Sequence, residues 1–89
     1  MRDIAFWLGL AAAALTSLSY LPQVRKALPR GSTKDLSVKT LAVLTTGLCC
    51  WVAYGLLKAD MIIIVANAVG ALLAAITLAC KLRDLQTKA

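Results

Sequence analysis

The chain has 89 residues, of which 61% are hydrophobic, and its mean hydropathy is +0.80. A soluble domain of this size leaves much of its surface in water, so it has no interior that accommodates so many apolar side chains. The net charge of +6 comes from basic residues that lie almost wholly between or beyond the apolar stretches, which argues against a nucleic-acid-binding protein.

The polar composition excludes further classes of function. The chain has no His, and no pair of acids lies inside an apolar stretch, which removes most metal sites and most general acid–base catalysis. Cys49, Cys50 and Cys80 lie in apolar stretches without ligand-like spacing, so we predict free cysteines that pack as small hydrophobic groups. We therefore expect no enzyme, no metal and no other cofactor.

The first apolar stretch covers residues 4 to about 24, enough for a helix that crosses a bilayer core of about 30 Å. It exceeds the hydrophobic region of a signal peptide, which is typically about 7–15 residues, and this favours a retained span. Pro22 has two interpretations. It either ends the helix, as Gln23 and Arg25 suggest, or interrupts a longer helix and frees the carbonyl of Leu18 to line a cavity.

A polar loop and two more apolar stretches follow. Pro29, Gly31 and Ser32 interrupt any helix, and Ser37 is placed to cap the next one. The turn between the second and third stretches is so short that these two helices must be antiparallel neighbours. The sequence therefore predicts an all-α membrane protein in which residues 1–89 form a single domain of three transmembrane helices. The predicted spans are about 4–24, 38–57 and 61–80.

The distribution of Lys and Arg predicts the orientation in the membrane. Cytoplasmic loops are enriched in these residues, and here the first loop and the C-terminal tail hold most of them. We expect a multi-pass protein of the cell (inner) membrane with its N-terminus outside and its C-terminus in the cytoplasm. The inner cations are Arg25, Lys26, Arg30, Lys34, Lys39, Lys81, Arg83 and Lys88, and the outer ones are Arg2 and Lys58.

Trp51 and Asn67 are the residues least suited to lipid contact. Asn67 is an amide within an apolar core, so it should face a neighbouring helix, through a hydrogen bond, or a ligand. Trp51 lies too deep to be an interfacial anchor, the role that fits Trp7. Both lie about 9 Å from the outer ends of their helices, so they can meet. Gly47 and Gly55, four residues on either side of Trp51, should leave space beside the indole, and an indole with an amide suits a sugar.

Other polar groups surround this pair. Hydroxyl groups come from Thr16, Ser17, Ser19, Thr45 and Thr46. In transmembrane helices such groups usually bond to their own backbone, so a functional role and a structural one are both open for each. Tyr54, Lys58 and Asp60 at the outer turn either close the mouth of a pathway or form a solvated hairpin turn.

Three helices are too few to enclose a pathway of sugar width, so we expect a homodimer in the lipid bilayer. An odd number of spans requires both subunits to insert in the same orientation, as in parallel-repeat transporters. No ionisable residue lies at membrane depth, which predicts facilitated diffusion of the solute, a uniport, rather than proton coupling.

Four motifs, in this order, resemble a known family. Residues 20–24 (YLPQV) match the proline–glutamine signature of the PQ-loop superfamily, and residues 33–37 (TKDLS) continue the pattern. Residues 51–55 (WVAYG) and 66–67 (AN) are similar to the bacterial SemiSWEET sugar transporters. The resemblance implies a parallel homodimer of three-helix bundles, with the helices in the spatial order one, three, two. It also implies alternating access for a mono- or disaccharide such as glucose or sucrose.

The resemblance also assigns roles to residues. Trp51 and Asn67 from both subunits would bind the substrate. Thr16, one of the hydroxyl groups above, is a third candidate that comes from the residues and not from the resemblance. Pro22 and Gln23 would form the hinge of the first span.

The two gates depart from relatives. The outer gate would consist of Tyr54, Lys58 and Asp60, but some relatives have Arg in place of Lys58, and Lys lacks the planar fork that pairs with a carboxylate. The inner-gate aromatics of some relatives are absent, with Ala42 and Thr46 in that region.

Two competing hypotheses stay open from the sequence. A PQ-loop carrier of another small solute, such as an amino acid with proton coupling, predicts flux driven by a pH gradient. A non-transporting membrane subunit predicts no flux alone and a stable partner protein.

Overall fold

The computed structural model describes residues 3–88 and side chains as far as Gln86. These residues form three α-helices, α1 (Ile4–Ala27), α2 (Val38–Lys58) and α3 (Met61–Lys88). All three are long and apolar enough to cross a membrane, so the predicted all-α, three-helix membrane architecture is confirmed. Arg2, one of the two predicted outer cations, lies outside the described residues, as does the side chain of Lys88.

Local capping explains where the helices begin. The Asp3 carboxylate accepts a hydrogen bond of 3.0 Å from the backbone N–H of Phe6 at the start of α1. At the start of α2 the Ser37 hydroxyl accepts one of 3.2 Å from the N–H of Thr40, which confirms the predicted cap. Such side chains satisfy N–H groups that have no partner within the helix.

The turn between α2 and α3 is tight. Ala59 adopts the left-handed conformation (φ 54°) that often ends a helix, and the N–H of Asp60 donates to the carbonyl of Gly55 at 2.9 Å. Because only Ala59 and Asp60 separate the helices, α2 and α3 run antiparallel and pack along their length.

Helix α3 lies between the other two. It packs against both α1 and α2, whereas α1 and α2 do not pack against each other in the part of the chain that the structure describes. The spatial order one, three, two is thereby confirmed. Gly70 lies where all three helices approach, because a Cβ there would stand 3.1 Å from the Tyr20 ring and 3.4 Å from Leu48.

Most large apolar side chains point away from this bundle. Leu57 is 88% exposed and Ile4 is 84% exposed, and the buried apolar core is small. Cys80 is buried as predicted, but Cys49 and Cys50 are exposed in the single chain. So much outward apolar surface needs lipid or a second subunit to cover it, and the chain is a multi-pass membrane protein.

Candidate functional site

Trp51 lies on a face of α2 that contacts neither α1 nor α3 extensively. Its side chain is 53% exposed, and the ring of Tyr54 packs edge to face against the indole, with 5.4 Å between ring centroids. The two residues are three positions apart, so they share one face of the helix. An edge-to-face pair fixes the indole plane while leaving a broad aromatic surface uncovered.

An open groove of about 480 Å³ lies beside this indole, lined by Gly47, Cys50, Trp51 and Tyr54. Nothing lies within 4 Å of where a Cβ at Gly47 would be, so this glycine does leave space. Gly55 does not, contrary to the prediction. Its Cβ would stand 2.9 Å from Ile63, because the missing side chain allows α2 to approach α3 there.

Asn67 is half-buried on α3, and its amide nitrogen donates to the carbonyl of Ile63 in its own helix at 2.8 Å. The predicted alternative, a hydrogen bond to a neighbouring helix, is absent from the described residues. Among the described residues, no hydrogen bond joins Asn67 to Trp51 either. The amide oxygen of Asn67 accepts no hydrogen bond from any of these residues, so it is available to a ligand.

The hydroxyl groups divide into two classes. Ser19 donates to the carbonyl of Thr16 at 2.6 Å, Thr45 to Leu41 and Thr46 to Ala42, as expected of transmembrane helices. The hydroxyl of Thr16 makes no such bond among the described residues, and Thr16 is exposed. Thr16 therefore keeps its donor and acceptor for another molecule.

The two hinge candidates lie inside a continuous helix. Helix α1 runs through Pro22 to Ala27, so the interpretation of Pro22 as a helix stop is wrong. Pro22 has no N–H to donate, which leaves the Leu18 carbonyl without its helical partner. Pro22 and Gln23 are both exposed. The missing bond weakens α1 near its C-terminal end, and a bend there would need such a weak point.

The three outer-gate candidates lie near one another in the chain but do not form one cluster. One carboxylate oxygen of Asp60 accepts from the N–H of Ile62 at 3.1 Å and from that of Ile63 at 3.2 Å, so Asp60 caps α3. No ion pair joins it to Lys58 in the described residues, and Tyr54 packs on Trp51. Lys58 and Asp60 instead border an open cavity of about 580 Å³ beside the start of α1.

Sequence reasoning missed a polar cluster at the C-terminal ends of α1 and α3, which the predicted orientation places on the inner side. We call Thr33, Lys81, Arg83 and Asp84 the inner clamp. Asp84 is only 5% exposed and Thr33 1%, and a hydrogen bond of 2.7 Å runs from the Thr33 hydroxyl to the Asp84 carboxylate. The sequence marks Lys81 and Arg83 only as cations, and Asp84 falls beyond the predicted third span. The acid that follows a basic residue at the end of an apolar stretch was the available signal.

The first loop also carries an exposed ion pair. Lys26 bonds to both oxygens of Asp35, and this hydrogen bonding lowers the pKa of Asp35 below its ordinary value. Both side chains are at least half exposed, so the pair adds little stability.

Comparison with known proteins places the chain in a family. A family model described as "PQ loop repeat" matches residues 4–64. A protein of Bradyrhizobium diazoefficiens named "Sugar transporter SemiSWEET" is 43% identical over 76 residues, which cover 85% of this chain and 88% of the relative. The chain belongs to the SemiSWEET family of PQ-loop proteins.

Two further similar proteins are also named "Sugar transporter SemiSWEET". That of Leptospira biflexa is 36% identical over 86% of this chain and 91% of its own length. That of Escherichia coli is 34% identical over 82% of both chains. These relatives are named as transporters, not enzymes. No solved structure matches the chain.

Proposed function

We propose that the chain transports a sugar, a mono- or disaccharide such as glucose or sucrose, by facilitated diffusion through a parallel homodimer. The observation that carries the proposal is the uncovered indole of Trp51 beside an open groove, in a chain whose SemiSWEET relatives are named sugar transporters. In a membrane an exposed indole contacts lipid, a partner subunit or a ligand, and the groove beside Trp51 provides room for a ligand.

The proposed contacts follow from the chemistry of a sugar. Its C–H faces stack on the indole of Trp51, and its hydroxyl groups bond to the free amide oxygen of Asn67 and to the hydroxyl of Thr16. These residues come from α2, α3 and α1, so each helix contributes one contact.

The second subunit supplies the other wall of the cavity. Since the groove beside Trp51 is lined by residues of α2 alone, it lacks an opposite wall, which a twofold partner would supply with its own Trp51 and Asn67. In this dimer Pro22 with Gln23 forms the hinge, and Tyr54, Lys58 and Asp60 form the outer gate. The N-terminus lies outside and the C-terminus in the cytoplasm, because most cations lie at the inner ends.

The positions of the acids favour uniport. The four acids of the chain are Asp3, Asp35, Asp60 and Asp84. Asp3 and Asp60 cap helices, Asp35 lies in the first loop, and Asp84 is bonded within the inner clamp. None is placed beside Trp51 or Asn67 in mid-membrane, where a proton-coupling acid would act.

Uptake into proteoliposomes tests the proposal. Wild-type protein should admit radiolabelled glucose or sucrose down its gradient, at a rate unchanged by an imposed pH gradient. Trp51→Ala and Asn67→Ala should abolish uptake while leaving the dimer intact, and Trp7→Ala, which removes an indole outside the groove, should not. Sugar flux that survives both changes would refute the assignment of the site.

A further inference from the structure

The inner clamp holds three segments together: the inner end of α1, the first loop and the inner end of α3. Arg83 makes the largest number of these contacts. Its guanidinium donates to the carbonyls of Ala27 at 3.1 Å, Leu28 at 2.8 Å and Pro29 at 3.0 Å. The last carbonyls of a helix lack partners within the helix, and a cation is favoured there by the helix dipole. Arg83 therefore caps α1 from a different helix.

Asp84 holds the first loop against α3 through hydrogen bonds. It accepts from the Thr33 hydroxyl at 2.7 Å and from the guanidinium of Arg83 at 2.8 Å, and Lys81 donates to the Thr33 carbonyl at 2.8 Å. Both Thr33 and Asp84 are buried. A buried charge that loses one partner is strongly destabilised, so the members of the clamp depend on one another.

The clamp begins just beyond the proposed hinge. Pro22 weakens α1, and the buried Ala27 lies one to two turns further along the helix, where Arg83 binds it. When a helix bends at a hinge, the segment beyond the hinge moves as one rigid unit only if it is attached to another rigid element. Here that rigid support is α3.

We propose that Arg83 and Asp84 are positioning residues for transport, which hold the inner end of α1 and the first loop on α3 throughout the cycle. The inference rests on the proposed function. It means that the inner side opens by movement of this joined unit relative to the partner subunit, and not by separation of α1 from α3.

Removal of the Arg83 contacts is the first test. Arg83→Gln should lower uptake at least about tenfold, since it breaks several charge-assisted hydrogen bonds, while equilibrium sugar binding stays near that of wild type. Arg30→Gln is the matched control, because Arg30 is an exposed cation of the same loop with no bond or ion pair among the described residues. Equal uptake by the two variants would overturn the proposal.

A reversible cross-link between the first loop and α3 distinguishes two mechanisms. It should raise uptake if α1 and α3 move as a joined unit and lower uptake if they must separate. In a variant with Cys49, Cys50 and Cys80 replaced by Ala, Thr33→Cys and Asp84→Cys are joined by oxidation or by a short bifunctional thiol reagent. Reduced protein should transport poorly, because the bond between these residues is lost, and cross-linking should raise uptake. If α1 must leave α3 during the cycle, cross-linking would instead stop uptake and reduction would restore it.

Hydrogen–deuterium exchange in nanodiscs tests the clamp without any sugar. The backbone amides of residues 27, 28 and 30–33 should exchange slowly in wild type and in Arg30→Gln, and much faster in Arg83→Gln. Unchanged exchange in Arg83→Gln would overturn the clamp. If the amides of the loop exchange slowly in wild-type protein but that protein transports neither glucose nor sucrose, the result would count against the proposed function and not against the clamp.

Discussion

The two glycines that flank Trp51 have opposite environments, although each is four residues from it. Gly55 is buried, and a Cβ there would stand 3.0 Å from a side-chain atom and 3.1 Å from the backbone nitrogen of Ile64. Gly47 is exposed beside the open groove. A glycine in mid-helix costs stability relative to alanine unless a close approach requires it, and only Gly55 has that requirement.

The first prediction uses this contrast. Gly55→Ala should lower the free energy of unfolding by about 1–3 kcal/mol, because the backbone of α3 cannot move aside easily. Gly47→Ala should leave stability unchanged or raise it by up to about 1 kcal/mol through better helix propensity. Unfolding of the purified variants in mixed micelles measures both, and equal stabilities would contradict the close approach of α2 and α3.

At the level of residues, the sequence identified Trp51 and Asn67 as poorly suited to lipid contact and left the role of the Thr16 hydroxyl open. Trp51 and Thr16 are exposed in the structure, and the amide oxygen of Asn67 accepts no hydrogen bond among the described residues. The sequence could not separate Gly47 from Gly55, since helical spacing gives the face of a helix but not what packs on it. It also missed the contact of Arg83 with the end of α1, because that contact joins residues more than 50 positions apart.

Asp60, in the turn between α2 and α3, caps α3 and is also a member of the proposed outer gate. One of its carboxylate oxygens caps α3, and the proposed outer gate uses its charge. Asn caps helices about as well as Asp, whereas Ala does not. Substitutions at this position therefore separate the cap from the charge.

The second prediction follows from that separation. Asp60→Ala should lower the free energy of unfolding by about 1 kcal/mol through loss of the cap, and Asp60→Asn should leave it nearly unchanged. Both should reduce sugar uptake, since both remove the carboxylate. Stability in micelles and uptake into proteoliposomes measure the two effects, and normal uptake by Asp60→Asn would remove Asp60 from the gate.

The sequence predicts that α1 is a membrane span but not where this helix ends. Apolar length was sufficient to identify a membrane span, but the sequence left Pro22 as either a helix end or an interruption. The structure carries α1 on to Ala27, where Ser32 and Arg83 bond to carbonyls at the end of the helix. The continuation depends on partners from the loop and from α3, which local sequence does not reveal.

The third prediction concerns the proposed hinge. Pro22→Ala restores an N–H that can bond to the Leu18 carbonyl, so α1 should become more stable, by up to about 3 kcal/mol. The stiffer helix should transport more slowly. Pro29→Ala is the control, because Pro29 lies outside the helices and its carbonyl bond to Arg83 survives the change. Faster or unchanged uptake in Pro22→Ala would argue against a hinge at this residue.

At the scale of the whole molecule, the main feature is the open side of the single protomer. The proposed sugar contacts come from three helices, and the groove beside Trp51 is lined by α2 alone, with no second wall. The proposed dimer closes the groove by twofold symmetry, so that every binding residue occurs twice.

The fourth prediction tests this shared cavity by mixing subunits. If transport needs Trp51 from both protomers, an equal mixture of wild-type and Trp51→Ala subunits should retain about one quarter of full uptake, because random pairing gives that share of fully wild-type dimers. Protomers that act independently would retain about one half. A mixture with Trp7→Ala subunits should show full uptake, which controls for losses during reconstitution.

The odd number of membrane crossings limits how the two protomers of the proposed dimer can be joined in one polypeptide. The start of α1 and the end of α3 lie on opposite faces of the bilayer. A short loop therefore cannot connect the C-terminus of one protomer to the N-terminus of a second protomer that is inserted in the same orientation. A single polypeptide that contains both halves must pass the membrane once more between them. A tandem gene fusion with a spanning connector should therefore be active, and one with a short flexible linker should invert its second half.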